Sequence, residues 1–538
     1  MRSKLIKVHR DDNVAIALVD LWQGNRIGFE GGEVIVLDDV SAKHKIAMLD
    51  LAVGDKIYMY GVLVGKAMRA INKGGVLTTE NVRHEAAQTF TRTETTSLKA
   101  PDISKWKYRT FMGYHREDGQ VGTANIWLFF PLVFCENRNV ELLKDVFEKE
   151  FTFHRSPKQR QLLRNLINGK EEDAAVDFEE VKTSVFDNIE AKFITHQGGC
   201  GGIRQDSVML SKLLAGYVNN PNVAGATVLS LGCQNLQIDI FKNSLKKINA
   251  AVKKPILIYE QQQIGTVDDM LNTIIRESFE GIKRANETKR EPAPLSKLKL
   301  GLECGGSDGF SGISANPALG YASDLLSALG GSPILSEFPE LCGVEQELVN
   351  RCVDDATAEK FMHLMKAYEN AAVDSGSGFD MNPSPGNIKD GLITDAMKSA
   401  GAAKKGGTSP IQAVLDYGEY VTKPGLNLLC TPGNDVESTT GMVGSGANVV
   451  VFTTGLGTPT GNPITPVVKV ASNSTLARFM PDIIDIDAGA VVKGEKTIPE
   501  MGEEILEYII QIASRTVRTK ADILGQDDFI PWKRGVSL

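Results

Sequence analysis

The 538-residue sequence lacks the features that mark several other classes of protein. No apolar run approaches the roughly 20 residues that a membrane span requires. The first residues, MRSKLIKVHRDDNV, hold neither an apolar segment nor a small-residue cleavage site, so we expect no secretory signal and a cytoplasmic protein. The formal net charge of −8 provides no basic face for nucleic acid. We therefore expect neither a membrane nor a nucleic acid as a partner.

Cysteine is also sparse, and its spacing excludes a disulfide framework. The seven cysteines are scattered along the chain, and four of them lie in loops at or just beyond predicted strand ends. This distribution is typical of cytosolic thiols. The apolar content of 42% is enough for sizeable cores, and the length predicts about three domains.

The pattern along the chain predicts an α/β protein with a small β-rich module at its start. Residues 1–85 hold short strands separated by turns, and the polar stretch 86–107 is interpreted as a linker. A central α/β domain is expected at 108–290, with a charged helical insertion around Phe147–Phe193, and a C-terminal α/β domain at 297–538. Strands alternate with helical patterns there, which favours mostly parallel, Rossmann-like sheets. The predicted strands of the first module are Val14–Val19, Val34–Leu37, Lys56–Tyr60 and Val62–Ala67.

Polar side chains gather where the predicted strands end. The stretch Leu298–Gly320 begins as an apolar strand and then places Glu303, Cys304, Ser307 and Asp308 among glycines. Ligands of open α/β sheets bind beyond the carboxyl ends of the strands, so this loop is a candidate site. Other strands end at His196 and Cys200, at Cys233, at Glu337, and at Asn434 and Asp435. We expect these strand ends to form one extended active site.

Several long motifs resemble the altronate/galactarate dehydratase family, and altronate dehydratase within it most closely. They are VHRDDNVAIAL at 8–18, ECGGSDGFSGISANPALG at 303–320, NPSPGN at 382–387 and GLNLLCTPGND at 425–435. The resemblance covers almost the whole chain and implies that the first module is a SAF-type domain. It also implies metal-dependent, usually iron-dependent, removal of water from a sugar acid to give a 2-keto-3-deoxy acid.

Three positions depart from the pattern of the family. Ala124, Ala396 and Ala402 stand where family members usually carry arginine, glutamate and cysteine. A lost polar group changes which substrate end can be recognised. We therefore expect a monocarboxylate hexonate such as altronate to be preferred over galactarate, which has two carboxylates.

Candidate roles follow from the chemistry of dehydration, which removes the C2 proton and the C3 hydroxyl. A divalent ion stabilises the charge that develops at C2, and a mixed set of imidazole, thiolate and carboxylate ligands suits iron, manganese or zinc. We predict Fe²⁺ as the cofactor, with Mn²⁺ or an iron–sulfur cluster on Cys135, Cys200 and Cys304 as open alternatives. The predicted metal ligands are His196, Cys200, Cys304, Cys135 and Cys233. The predicted catalytic groups are His196, Glu303, Asp308 and His44, and His44 is included because the resemblance to the family implies it. The predicted substrate contacts are Asn125, Arg204, Ser307, Asn434, Asp435 and Lys469.

Other interpretations stay open at this point. Cys233 is equally well explained as a small buried apolar residue, and Asn434 with Asp435 as a turn. Arg204 and Lys469 suit surface ion pairs as well as a carboxylate contact. A diverged family member would act as an epimerase, as another lyase or as a sugar-acid binding protein without catalysis. We expect a homo-oligomer, namely a dimer.

Overall fold

The computed structural model describes residues 3–29, 32–85, 92–93, 100–151, 158–169 and 185–537. Most of the predicted linker and parts of the predicted charged insertion, 152–157 and 170–184, lie outside the described residues. Within the described part, the predicted fold class is confirmed: small β-sheets come first and two α/β units with parallel sheets follow.

The N-terminal module consists of short antiparallel strands. The tight turn between its sixth and seventh strands uses two left-handed residues, Tyr60 (φ 58°) and Gly61 (φ 79°), which suits the twist of a hairpin. The strands form a sheet of order β1-β2-β5, a β3-β4 hairpin and a sheet of order β6-β7-β8. They are β1 (Leu5–Ile6), β2 (Val14–Ala17), β3 (Arg26–Phe29), β4 (Gly32–Ile35), β5 (Lys45–Ala47), β6 (Lys56–Met59), β7 (Val62–Ala67) and β8 (Val82–Arg83).

The second unit contains a parallel sheet of order β12-β11-β13-β14 and a small antiparallel sheet of order β10-β9-β15. Its strands are β9 (Thr110–His115), β10 (Val121–Gly122), β11 (Ile126–Pro131), β12 (Glu190–Phe193), β13 (Val223–Ser230), β14 (Ile256–Glu260) and β15 (Glu291–Pro294). Its helices are α1 (Asn137–Phe151), α2 (Lys158–Ile167), α3 (Arg204–Asn219), α4 (Ile238–Ile248), α5 (Gln261–Ile264) and α6 (Val267–Ala285).

The third unit is built on a seven-stranded parallel sheet of order β18-β19-β17-β16-β20-β21-β22. Its strands are β16 (Lys299–Cys304), β17 (Ser332–Leu335), β18 (Ile411–Leu415), β19 (Leu426–Leu429), β20 (Val449–Thr454), β21 (Val467–Ala471) and β22 (Ile486–Asp487). Its helices are α7 (Ala315–Ala328), α8 (Glu345–Arg351), α9 (Asp355–Asp374), α10 (Pro385–Lys389), α11 (Asp395–Ala402), α12 (Asp435–Gly444), α13 (Ser474–Phe479), α14 (Gly489–Val492), α15 (Ile498–Ala513) and α16 (Lys520–Leu524). Of the helices described, none combines the length and the apolar character that a membrane crossing needs.

The N-terminal module packs directly against the third unit. The Lys45 ammonium donates to the Gly391 carbonyl at 2.5 Å, and the Thr394 hydroxyl donates to the Val64 carbonyl at 2.8 Å. A side chain at Gly309 would meet the Lys43 carbonyl at 2.3 Å, so the two backbones touch. One cluster of buried apolar side chains continues from this module into the third unit. The N-terminal module is therefore docked against the third unit.

Candidate active site

The third unit brings its acidic side chains together at the carboxyl edge of its sheet. Glu303 and Cys304 end β16, which lies between β17 and β20 at the centre of the sheet. Glu337 follows β17, and Asp435 opens α12 after β19. Because these strands are parallel and adjacent, the side chains at their ends share one edge. The edge is the expected position for a ligand.

The acidic groups at this edge are close enough to share one ion. Carboxylate oxygens of Glu303, Glu337 and Asp435 lie within 4.8 Å of one another, and so do the Cys304 thiol and carboxylate oxygens of Glu337 and Glu340. Glu303 and Glu337 are wholly buried. We call this group the carboxylate pocket, and it comprises Glu303, Cys304, Glu337, Glu340 and Asp435 together with Lys398 and Lys405.

Two buried lysines balance part of the negative charge in the carboxylate pocket. The Lys405 ammonium donates to Glu337 Oε2 at 2.8 Å and contacts Cys304 Sγ at 2.6 Å. The Lys398 ammonium donates to Glu340 Oε1 at 2.5 Å and to Asn382 Oδ1 at 2.8 Å. Four carboxylates thus face two ammonium groups. A divalent cation bound there would favour the ionised form of the carboxyl groups that hold it.

Burial and mutual repulsion raise the pKa of the carboxyl groups in the pocket, and the two lysines lower it. Burial, with Glu337 nearby, raises the pKa of Glu303 well above its usual range. Burial also raises the pKa of Asp435 to about 7, and Glu337 and Glu340 add to the effect. Although burial alone would raise the pKa of Glu340, Lys398 and Lys405 bring it below its ordinary value. Glu340 is therefore the carboxylate that the pocket holds ionised.

Two carboxyl oxygens in the pocket receive no hydrogen bond from any other group of the described residues. Glu303 Oε2 accepts from the Ser438 hydroxyl at 2.7 Å, whereas Glu303 Oε1 and Glu337 Oε1 are buried without such a donor. Glu303 and Glu337 hydrogen-bond to each other while Glu303 is protonated, so it is the ionised pair that requires an explanation. Oxygen ligands to a divalent cation provide one, and Asp435 completes a set of three carboxylates.

Asp308 lies farther along the same edge and binds the N-terminal module. Its Oδ2 pairs with the Lys43 ammonium at 3.1 Å, and its Oδ1 accepts from the Ser472 hydroxyl at 2.8 Å. Lys43 also pairs with Asp390 at 2.7 Å. His44, beside it, is half-buried, and its Nε2 lies 3.1 Å from the Lys389 carbonyl oxygen. Asp308, Lys43 and His44 are thus assembled from two units of the chain.

The remaining predicted metal ligands lie on the carboxyl edge of the second unit. Cys135, Cys200 and Cys233 are all exposed, on the loops that follow β11, β12 and β13. These loops touch: the Phe134 amide donates to the Gly198 carbonyl at 3.1 Å, and the Leu236 amide donates to the Gly199 carbonyl at 3.1 Å. Cys304, in contrast, is buried in the third unit. The predicted ligand set is therefore divided between two sheets.

His196 uses both of its ring nitrogens within the protein. Nε2 lies 2.7 Å from the Pro131 carbonyl oxygen, and Nδ1 accepts from the Gly198 amide at 3.1 Å. Burial lowers the pKa of this imidazole to about 4. The neutral ring therefore joins two of the thiol-bearing loops. Its assignment as a metal ligand or catalytic group stays a prediction, and the observed contacts are structural.

The predicted substrate contacts are dispersed. Asn125 is buried at the opposite, amino end of β11, where its amide donates to the Asn188 and Ala285 carbonyls. Arg204 is exposed at the start of α3. Lys469 is wholly buried and donates to the Thr460 carbonyl, away from surface ion pairs. Ser307 and Asp435 lie at the carboxyl edge of the third unit, and Asn434 caps α12 by accepting from the Val436 and Glu437 amides.

Lys398, Lys405 and Glu340 are pocket residues that our sequence analysis did not single out. Both lysines belong to the segment DAMKSAGAAKKGG, whose other residues are mostly small. A lysine among small residues on a helix that must pack closely is a signal of a buried charge, because lysine is almost never buried without a partner. Glu340 follows Glu337 by three residues in a one-turn helix, which turns both carboxylates toward the same pocket.

Comparison with known proteins places each of the three units in the same family. Residues 3–85 match the altronate/galactarate dehydratase SAF domain, residues 113–286 the second domain of D-galactarate dehydratase/altronate hydrolase, and residues 295–537 the C-terminal domain of D-galactarate/altronate dehydratase. The chain belongs to the altronate/galactarate dehydratase family. It is accordingly an enzyme of the hydro-lyase class.

Individual relatives match along nearly their whole length. The chain is 34% identical to the altronate dehydratase of Escherichia coli (strain K12), with 95% of both chains covered. It is 34% identical to the altronate dehydratase of Bacillus subtilis (strain 168), again with 95% of both covered. Identity to the galactarate dehydratase (L-threo-forming) of Escherichia coli (strain K12) is 32%, over 97% of this chain and 94% of the relative. The resemblance predicted from the motifs is confirmed.

Proposed function

We propose that the protein dehydrates a monocarboxylate sugar acid of the altronate type to a 2-keto-3-deoxy acid, and that the carboxylate pocket is its active site. The observation that carries the proposal is the cluster of buried carboxyl groups around Glu303 and Glu337, set beside two buried lysines. Dehydration next to a carboxylate needs a base, an acid and compensation for negative charge at C2. The pocket holds groups suited to all three tasks.

Glu303, Glu337 and Asp435 fit a divalent ion, for which Fe²⁺ is our choice and Mn²⁺ the alternative. Their carboxylate oxygens lie within 4.8 Å of one another, and oxygen donors of this kind suit ferrous or manganous ions. When bound, such an ion acts as a Lewis acid toward the substrate carboxylate and hydroxyl. The three exposed thiols of the second unit would suit an iron–sulfur cluster, which the family comparison leaves open.

The charged partners of the pocket are assigned to proton transfer and to charge compensation. Glu340 is held ionised by Lys398 and Lys405, so its carboxylate can accept the C2 proton. Lys398, which hydrogen-bonds Asn382 at the more open side of the pocket, can donate a proton to the departing C3 hydroxyl. Lys405 stays charged beside Glu337 and Cys304, and it offsets the negative charge that develops on the substrate.

The far end of the edge supports a substrate with one carboxylate. Lys43 is already paired with Asp308 and Asp390, so a second substrate carboxylate would meet two acidic groups there. Hydroxyl groups, in contrast, can donate to those carboxylates. The sequence analysis based its preference for a monocarboxylate substrate partly on Ala124. This residue lies at the amino end of β11, away from this edge, so the preference now rests on Lys43 and its acidic partners.

The test is turnover on a panel of hexonates and hexarates by anaerobically purified, ferrous-loaded protein. The 2-keto-3-deoxy acid product is measured as its semicarbazone, and kcat/KM should be highest for altronate or a stereoisomer of it. Asp435→Asn should abolish most turnover, whereas the matched control Glu437→Gln, two residues along the same helix, should retain it. A preference for galactarate would refute the substrate assignment.

The same panel separates the other reactions of a C2 carbanion. An epimerase would exchange the C2 proton for deuterium in heavy water and form no keto acid, and another lyase would release a group other than water. Proton NMR of each reaction detects both outcomes. Exchange without dehydration across the whole panel would replace our proposal with an epimerase.

A further inference from the structure

We propose that His84, Cys342 and Asp395 form a zinc site, separate from the carboxylate pocket, that fastens the N-terminal module to the third unit. His84 follows β8 at the end of the N-terminal module. Cys342 follows the one-turn helix after β17, and Asp395 is the first residue of α11. Three distant parts of the chain therefore meet at one point.

The geometry suits a single ion. The ligand atoms of His84, Cys342 and Asp395 all lie within 4.8 Å of one another, and His84 Nδ1 directly contacts Asp395 Oδ1. Zinc binds sulfur at about 2.3 Å and nitrogen or oxygen at about 2.0 to 2.2 Å, so two of its ligands can be separated by no more than the sum of two such bonds. Small adjustments of three side chains would bring them into this range.

Glu345 lies beside these three residues and interacts electrostatically with them, although its carboxylate is outside the group of ligand atoms. It opens α8 three residues after Cys342, and Gly343 between them adopts φ 92°, which lets the chain turn back. Its carboxylate is buried and accepts from the Gly343 amide at 2.7 Å through Oε2. The surroundings are acidic, since Asp380 and Glu369 also act on this group of side chains. A cation would offset this accumulation of negative charge.

The chemistry of the donors selects the metal. Imidazole, thiolate and carboxylate together are typical ligands of Zn²⁺, whereas Mg²⁺ and Ca²⁺ prefer oxygen alone. Asp395 of this site lies on α11, the helix that also carries Lys398 of the carboxylate pocket. A bound ion would thus hold the end of the N-terminal module against the helix that positions a proposed catalytic lysine. This role needs no particular substrate and does not depend on the proposed reaction.

The test is metal content and cobalt spectroscopy of the full-length protein. Protein stripped by a chelator and reloaded with Co²⁺ should show a thiolate-to-cobalt charge-transfer band. Cys342→Ser should abolish this band, and His84→Gln, at a partly exposed side chain, should weaken Co²⁺ and Zn²⁺ binding at least tenfold. The matched control Cys352→Ser removes a buried thiol elsewhere and should retain both.

Zinc analysis of the same proteins decides the assignment. We expect the wild type to hold one zinc more per chain than His84→Gln or Cys342→Ser, and Glu337→Gln to keep that ion because it alters only the carboxylate pocket. His84→Gln is the variant less disturbing to the core, so it keeps the test valid if Cys342→Ser folds poorly. Unchanged zinc content and an unchanged cobalt band in His84→Gln would overturn the proposal.

Discussion

The carboxyl edges of the two parallel sheets offer contrasting chemistry. The edge of the third unit is buried and charged, with four carboxylates and two lysines in direct contact. The edge of the second unit is exposed and carries three thiols around a buried, neutral His196. Both edges occupy the position where α/β proteins bind ligands, so position alone does not identify the reaction centre. The third unit differs in gathering several buried carboxyl groups and two buried lysines at one point, and this concentration supports our choice of it as the reaction centre.

The first prediction tests how strongly the charged edge depends on one lysine. Lys405→Met leaves Glu337 and Cys304 buried without their cation, so it should lower the free energy of unfolding by about 3 to 5 kcal/mol. Lys404→Met is the matched control, because its ammonium is partly exposed and 3.5 Å from Glu347. It should cost less than about 1 kcal/mol. Urea unfolding measures both, and equal losses would contradict the account.

The second prediction concerns the exposed edge and its buried histidine. Because burial lowers the pKa of folded His196 to about 4, the unfolded chain binds a proton first as the pH falls. Its contribution to stability is present above pH 6.5 and is lost between pH 6.5 and 4, by up to about 3 kcal/mol. Unfolding of His196→Gln across this range should lack that loss. His363→Gln, at an exposed position on α9, serves as the control and should behave as the wild type.

The third prediction gives the opposite pH dependence at the charged edge. Burial raises the pKa of Asp435 to about 7, so in chelator-treated protein its contribution is present at low pH and is lost as the pH rises from about 4 to 7. Asp435→Asn cannot lose a proton and should gain stability relative to the wild type above pH 7. Unfolding curves at pH 5 and pH 8 test this. A variant that is equally destabilised at both values would show that repulsion at Asp435 is unimportant.

The fourth prediction has the smallest effect and tests the contribution of the N-terminal module. Lys43→Met removes the pairs with Asp308 and Asp390, which should raise KM about tenfold and leave kcat within about twofold. Lys66→Met, whose partner is the more exposed Glu85, should change neither constant. Steady-state kinetics on the preferred hexonate provide the measurement. A fall in kcat with constant KM would instead place Lys43 in the chemical step.

Sequence patterns predicted the strands and the loop after β16 well, because apolar runs and glycine-rich ends reflect local requirements of a buried sheet. The capping box of α15 at Thr497 and Glu500 is a local signal of the same kind. Contacts between residues that are far apart in the sequence could not be predicted from such local patterns. Lys405 is 101 residues from Cys304 in the sequence, and the two side chains meet only in the folded protein. Cys304 and Cys200 both lie beside glycines at strand ends, yet their strands, β16 and β12, belong to different sheets.

Ferrous binding and turnover of Glu337→Gln, compared with a Cys135→Ser/Cys200→Ser/Cys233→Ser triple variant, test the central claim most directly. If the reaction takes place in the carboxylate pocket, Glu337→Gln should lose the ferrous ion and about 100- to 1000-fold of turnover. The triple variant should keep the ion and turnover within about tenfold of the wild type, as should the control Glu437→Gln. Loss of iron and activity in the triple variant, with both retained in Glu337→Gln, would move the reaction centre to the second unit and contradict the account.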